Sequence, residues 1–453
     1  MSTTTSPEPS PQVVRRASTA GFLGTMIEAY DFIVFTYILV YIAPLFFPGE
    51  STTASILSGL AVLGTGLLAR PVGGIIFGRM GDRRGRRVTL IVTITGMGLA
   101  TFLIGLLPTF EQVGILAPIL LCLLRLGQGL AAGGEIMGSA TFVSEHATKK
   151  NHGLLSAMTP MGFALGTALA PGVVALVTLF ASEETMAAGG WRIPLLLSLP
   201  LTLIVLYLRT RLEESPEFRR LADLQELRKA PVRAVFQGYA GTLFKVVAIS
   251  ASVLLTGYVV AAYMPLFLQQ QVGLAPGTTA GIATFASFFG IILGFSAGFL
   301  IDRLGRKATM ILILTIVGLL MFPAMYLMKL TGGNFVVTAL LQMLLAGLAG
   351  AAAVPAYATF TALFPVSVRY TGAAMGFGLG SAIGGGFGPY LAGLLTEVTG
   401  NIYAPAGLVA AAALLGIAVI STMPSRTILE DELVVRAEQR EGATGAPEST
   451  VAP

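Results

Sequence analysis

The chain has 453 residues, 54% of them hydrophobic and only 11% charged, with a formal net charge of +5. Soluble domains carry roughly 25% charged residues, so a water-facing globular fold is excluded. The positive excess does not imply nucleic-acid affinity, because the basic residues cluster in short turns between apolar runs, and the single cysteine, Cys122, excludes an internal disulfide and a cysteine-based metal site.

A helix needs about 20 apolar residues to cross a bilayer core. Twelve such stretches are read, near 20–44, 54–78, 88–108, 114–138, 154–180, 192–209, 243–268, 279–301, 308–328, 334–361, 371–396 and 402–422. The expected fold class is an all-α polytopic membrane protein. Residues 1–19 are polar and rich in Pro, Ser and Thr, which predicts a disordered tail without the pattern of a cleaved signal peptide. The first six spans occupy 20–209, a linker 210–242, the second six 243–423, and a polar C-tail 424–453. In the linker, Ser215-Pro216-Glu217 is a helix-start signal. Leu221, Leu224 and Leu227 follow at spacing three, predicting a short amphipathic helix on the membrane surface.

Most of the 28 basic residues lie in the two tails, the linker and alternate turns, including Lys149 and Lys150 between spans four and five. Arg192 and Lys329 lie at the opposite span ends, and Arg70 and Arg125 inside spans. Short cytoplasmic loops retain positive charge, so both termini are expected in the cytoplasm of a cell-membrane protein.

One stretch organises the rest: RPVGGIIFGRMGDRRGRRVTL, from Arg70 to Leu90. Its Gly78, Asp82, Arg83, Gly85, Arg86 and Arg87 return 220 residues later as Gly298, Asp302, Arg303, Gly305, Arg306 and Lys307. The repeat predicts two related halves, each with a basic turn between two spans. This resembles the loop between helices two and three of major facilitator superfamily transporters, with its echo between helices eight and nine.

Ionisable residues inside a span are costly and are read as functional by default. Glu28 and Asp31, about 12–16 Å into span one, share a helix face at spacing three. Arg70 lies in span two, Arg125 in span four, and Glu135 ten residues further on. Burial favours the protonated form of a carboxylate and a nearby guanidinium the ionised form. Such a cluster takes up and releases a proton when its pairing changes, unless it is a static buried bridge. His146 and His152 are read as loop residues, and no metal or other cofactor is expected.

Six motifs occur in order: EAYDF in span one, the basic stretch, RLGQGLAAGGE from 125 to 135, GWRIP, EESPEF and LFPVSVRYTGAAMGFGLGSAIGGG. Together they resemble the metabolite:proton symporter family, whose members carry proline and betaine, α-ketoglutarate, shikimate and citrate. The resemblance implies two pseudo-symmetric six-helix bundles and proton-coupled import of a small polar metabolite, a carboxylate or a zwitterion. It assigns Glu28, Asp31 and Glu135 to proton coupling. Arg70, Arg125 and Gln128 would bind substrate, in a cavity shaped by Tyr30, Tyr258 and Tyr263. For gating it implies Gly78, Asp82, Arg83, Gly85, Arg86 and Arg87, with Asp302, Arg303 and Arg306 in the second half. Asp82 is expected on the helix start at Tyr370–Thr371, and Arg83 or Arg86 on Glu145. The expected partners are the metabolite, the proton and the bilayer, with the chain a monomer. Two positions depart from the family pattern: Ala29 replaces an aromatic residue after the span-one glutamate, and Ala362 an acid before Leu-Phe-Pro. A proton-driven exporter and a transporter-like sensor are the rival readings.

Overall fold

A computed structural model describes residues 11–48, 52–147, 152–224 and 230–423. The C-tail, residues 1–10, Lys149, Lys150 and Leu227 lie outside the described residues. Hydrocarbon offers no partner to a backbone N–H or C=O, so a spanning chain satisfies them within helices or closed barrels. The described residues form helices and their connections, with no strand.

The long helices of the first half are α1 (Pro11–Phe46), α2 (Thr52–Arg84), α3 (Arg86–Leu106), α4 (Leu116–His146), α5 (His152–Phe180) and α6 (Met186–Thr210). Those of the second half are α7 (Ala240–Val272), α8 (Pro276–Leu304), α9 (Arg306–Leu330), α10 (Phe335–Ala362), α11 and α12 (Ala404–Ser421). Helix α11 runs through Arg369–Gly380, a wider π-type stretch Ser381–Gly386, and Phe387–Thr399. Among the described residues, ten helices are long and apolar enough to cross a membrane. The exceptions are α2, which carries Arg70 and the basic turn, and the interrupted, glycine-rich α11.

Packing repeats between the halves. Helix α1 lies on α5, α2 on α4, and α3 on α4 and α6; correspondingly α7 lies on α11, α8 on α10, and α9 on α10 and α12. The halves meet where α2 packs on α11 and α5 on α8. The internal repeat carries one of these seams onto the other. Small residues at spacing four let helix axes approach closely, and here backbone meets backbone. A Cβ on Gly73 would fall 1.9 Å from Leu130 O, and one on Gly78 2.7 Å from Thr371 Cα across the seam.

Two expectations need correction, the extent of the N-terminal tail and the place of the histidines, and the linker helix is present where Ser215-Pro216-Glu217 predicts it. Helix α1 starts at Pro11, inside the expected tail, because Val14, Ala17 and Ala20 give it a buried face against Leu90, Phe142, Val143 and Leu155. The linker helix spans Pro216–Asp223, capped by Ser215 Oγ, which accepts from Phe218 N at 3.2 Å. Of its leucines Leu221 is half-buried and Leu224 exposed, while Glu217 is buried and Phe218 stacks on Arg86, 5.2 Å from guanidinium carbon to ring centre. The histidines belong to helices, not a loop. His146 is buried at the end of α4 with Nδ1 2.8 Å from Phe142 O, and His152 opens α5.

Candidate functional site

Glu28 and Phe32 of α1 both face Arg70, whereas Asp31 turns toward Thr101 and Ser198. Glu28 lies 3.6 Å from Arg70 Nη2 of α2, both side chains buried. Phe32 is shared by two cations, with the guanidinium carbons of Arg70 and Arg125 each 4.8 Å from its ring centre. Arg125 also stacks on Phe35 at 4.2 Å. Cation–π contact of this kind stabilises a desolvated guanidinium by up to about 2 kcal/mol, well short of replacing its hydrogen bonds. Nε and Nη2 of both arginines, and both oxygens of Glu28, make no hydrogen bond. Each buried unmade bond costs about 1–3 kcal/mol, so a buried ligand-sized anion or a proton has much to gain here.

The remaining sequence candidates separate by their partners. Asp31 faces the hydroxyls of Ser198 and Thr101 without accepting from either. Gln128 is turned into its own half, its Oε1 accepting from Arg125 Nη1 at 2.8 Å and its Nε2 donating to Thr101 Oγ1 at 2.6 Å. Glu135 has both oxygens engaged: Arg209 Nη1 donates to Oε2 at 2.9 Å, Arg209 Nη2 to Oε1, and Thr93 Oγ1 to Oε2 at 2.5 Å. It is the saturated member of the three acids. Tyr30 does not border a cavity but lies in the first-half core, its hydroxyl donating to Pro194 O at 2.7 Å. Tyr263 likewise lies in a second-half core, bonded to Thr396 at 2.8 Å. Tyr258 is half-buried, alongside Gly385. Ala29 is fully buried against Gly166 of α5, where an indole would not fit.

Sequence reasoning missed four residues here. Arg209, at the last residue of the sixth expected span, was not singled out, yet it is buried and holds Glu135. Tyr357 of α10, also buried, lies within electrostatic reach of Glu28 and Arg70 from the opposite half. Thr101 and Ser198 are ordinary hydroxyls in apolar runs and carry no one-dimensional signal.

The basic turns occupy one face of the molecule. Gly85 (φ +107°) lets α2 pass directly into α3, a backbone region that side chains other than glycine rarely adopt. Asp82 reaches across the seam to the start of α11, accepting from Tyr370 N at 3.2 Å and Thr371 N at 2.9 Å. The exposed amides of a helix start carry partial positive charge, which a carboxylate complements. Arg86, rather than the exposed Arg83, pairs with Glu145 at 3.2 Å, and Arg369 approaches the same acid at 3.3 Å. Tyr370 enters a socket between α2 and α4: its hydroxyl donates to Gly134 O at 2.7 Å, and a Cβ on Gly81 or Gly138 would fall within 2 Å of its ring or hydroxyl.

The linker closes over this cluster. Glu214 accepts from the backbone N–H groups of Arg86 (3.0 Å), Arg87 (3.1 Å) and Ser215 (2.9 Å). Burial pushes its carboxyl above the usual 4.5, against those bonds. Arg87 itself donates to Thr210 O at 2.6 Å. At the second seam Asp302 repeats the Asp82 contact on the start of α5, accepting from Gly153 N at 2.8 Å and Leu154 N at 3.2 Å. Arg306 donates to Ala358 O at 3.0 Å, and Arg303 is exposed. The position that would supply an acid, Ala362, is a buried methyl.

Long apolar helices, an internal repeat and buried charges with unmade bonds define a multi-pass membrane transporter. The chain belongs to the major facilitator superfamily, whose profile, Major Facilitator Superfamily, matches residues 21–377 and 246–443. It is 36% identical over 393 residues to the shikimate transporter of Escherichia coli (strain K12), covering 85% of this chain and 89% of that one. It is 31% identical over 421 residues to the proline/betaine transporter of the same organism, covering 90% and 83%. The solved structure of the proton:xylose symporter XylE bound to 6-bromo-6-deoxy-D-glucose shares the fold, with a TM-score of 0.75 at 15% identity over 94% of this chain and all of that one. The protein is therefore a secondary transporter related to the metabolite:proton symporters, not an enzyme.

Proposed function

We propose that the chain is a proton-coupled symporter that imports a small polar metabolite bearing a carboxylate, alone or in a zwitterion. The observation that carries this reading is the pair of buried guanidiniums, Arg70 and Arg125, sharing Phe32 with their Nε and Nη2 groups unbonded. A planar fork with free donors suits a carboxylate. The related shikimate and proline/betaine transporters carry names of that chemical type.

In this reading α1–α12 are twelve spans in two six-helix bundles, with both termini and the linker cytoplasmic. Asp82, Arg86 and Glu145 hold the cytoplasmic face shut, and Asp302 holds the second seam. Glu28 or Asp31 carries the proton. Substrate enters from the opposite face, meets Arg70 and Arg125, and leaves after the two bundles rock and the latch opens.

The test is uptake into proteoliposomes of radiolabelled shikimate, proline, glycine betaine, α-ketoglutarate and citrate, with and without an inwardly directed proton gradient. Accumulation of at least one of them, dependent on the gradient, is expected. Gradient-driven movement only in the opposite direction would make the protein an exporter. Binding of a panel member without any flux would make it a sensor.

A further inference from the structure

The two seams between the halves are built alike, and they differ at two residues. In the first, Asp82 accepts from Tyr370 N and Thr371 N, and Arg369, the residue before those amides, meets Glu145 at 3.3 Å. In the second, Asp302 accepts from Gly153 N and Leu154 N, and the residue before them is His152. His152 and Arg369 stand 217 residues apart, and so do Glu145 and Ala362. Where the first seam sets a guanidinium against a carboxylate, the second sets an imidazole against a methyl. The packing agrees with this correspondence. Ser156, one turn deeper than His152, shares a cleft with Ala358, one turn deeper than Ala362, and α10 packs on the start of α5.

The imidazole is neutral in this arrangement. Ser156 Oγ spends its one proton on His152 O at 2.7 Å, so toward Nδ1, 3.5 Å away, it can only accept. The ring proton is thereby assigned to Nδ1, and Nε2 is buried without a hydrogen-bond partner among the described residues. A proton on Nε2 would create a buried donor with nothing to receive it, beside the guanidiniums of Arg306 of α9 and Arg369 of α11. Neither acid near the seam is free to compensate. Both oxygens of Asp302 are taken by backbone amides, and Glu145 is held by Arg86 and Arg369. His146 of α4 is turned onto Phe142 O, Arg303 of α8 is exposed, and α10 contributes Ala358 and Thr361 at the cleft.

We propose that His152 is a proton site of the second seam: a proton arriving from the basic face binds there only once α5 and α8 have parted, and it holds them apart. The inference rests on the symport reading for the side on which protons are delivered, and on the seam geometry for the rest. A ligand that binds one of two states shifts the balance toward that state. A histidine in water titrates at about 6.5, so the open state gains as pH falls through that value. With the closed seam refusing the proton, the ratio of open to closed rises about tenfold between about pH 8 and about pH 5.5. Each import cycle delivers a proton to this face. As that side acidifies, the carrier is detained with the basic face open, and import slows itself.

The experiment measures the distance between spin labels on Arg84→Cys and Arg303→Cys, exposed residues at the basic ends of α2 and α8. Full-length Cys122→Ser protein in lipid nanodiscs is used, with no substrate and no gradient. The longer, open-face distance should gain about tenfold over the shorter one across that pH interval. His152→Gln should abolish the response, and His146→Gln should leave it intact. His152→Arg should stand open at both pH values. Adding Ala362→Glu, which builds at the second seam the pair that Arg369 and Glu145 make at the first, should close it at both. If that double variant fails to fold, the two glutamine variants decide. A wild type without the response, a response unchanged in His152→Gln or abolished by His146→Gln, or a double variant as open as His152→Arg overturns the proposal. No substrate enters the measurement, so a wild type that moves nothing in the uptake panel refutes the symport reading and leaves this result standing.

Discussion

Asp82→Asn tests whether the contact between α2 and α11 governs which face is open. In the wild type, two oxygens accept two backbone N–H groups at 3.2 and 2.9 Å, and Arg86 Nη2 lies 3.3 Å from Oδ1. Asparagine keeps one acceptor, loses the charge and turns an NH2 group toward an N–H. Loss of one hydrogen bond to a charged group amounts to about 2 kcal/mol, or roughly 30-fold in the ratio of closed to open. Arg86 keeps Glu145, so folding and insertion should survive. Ala358, buried in the cleft that α5 and α10 form with Ala140 and Ser156, is a suitable reporter. In a Cys122→Ser background, a maleimide applied from the basic face should label Ala358→Cys about tenfold or more faster when Asp82 is Asn. Equal rates would leave the basic residues a topological role only.

Arg125→Ala should abolish uptake with normal insertion, and Arg125→Lys should recover little, since an ammonium does not reproduce the bidentate fork; uptake at the wild-type rate by either would remove Arg125 from the substrate path. Gly138→Ala should hold the basic face open, because its Cβ would meet the Tyr370 hydroxyl at 1.8 Å and overpacking costs about 1–3 kcal/mol; adding Tyr370→Ala should restore closure in the same labelling assay. Glu214 favours its protonated form in the docked linker, so its contribution to docking is full below pH 4.5 and is lost as pH rises through the raised value. Hydrogen exchange over Pro216–Asp223 should therefore quicken across that window beyond the intrinsic rate, and Glu214→Gln should remove the extra pH dependence.

Long apolar runs and the 220-residue repeat made the helices legible, because span length and charge bias are one-dimensional properties. The Asp82 contact was legible too: the charge bias explains the arginines but not an acid held among them, and the helix start at Tyr370–Thr371 offered that acid a docking point. Glu145 followed as the acid nearest the turn, and Arg86 rather than Arg83 was the arginine that faced it. What remained hidden depended on which way a helix face points. Arg209 stands at the very end of the sixth span, where a basic residue is ordinary, whereas its long stem lets the head reach back to Glu135. Tyr30 and Tyr263 fit a cavity by residue type, but their hydroxyls found partners within their own halves. Helix α1 reached into the tail because three small or apolar residues among polar ones suffice for a buried face.

The most direct test of the account follows protons and substrate together. Proteoliposomes holding a lumenal pH dye would receive, from outside, whichever panel compound the protein accumulates, with no gradient imposed. The account predicts that wild type acidifies the lumen as substrate enters. Asp31→Asn should exchange substrate at a near-normal rate with the acidification lost. If neither Glu28→Gln nor Asp31→Asn reduces it, the proton travels elsewhere. Entry of substrate with no lumenal pH change, or with alkalinisation, would contradict proton symport.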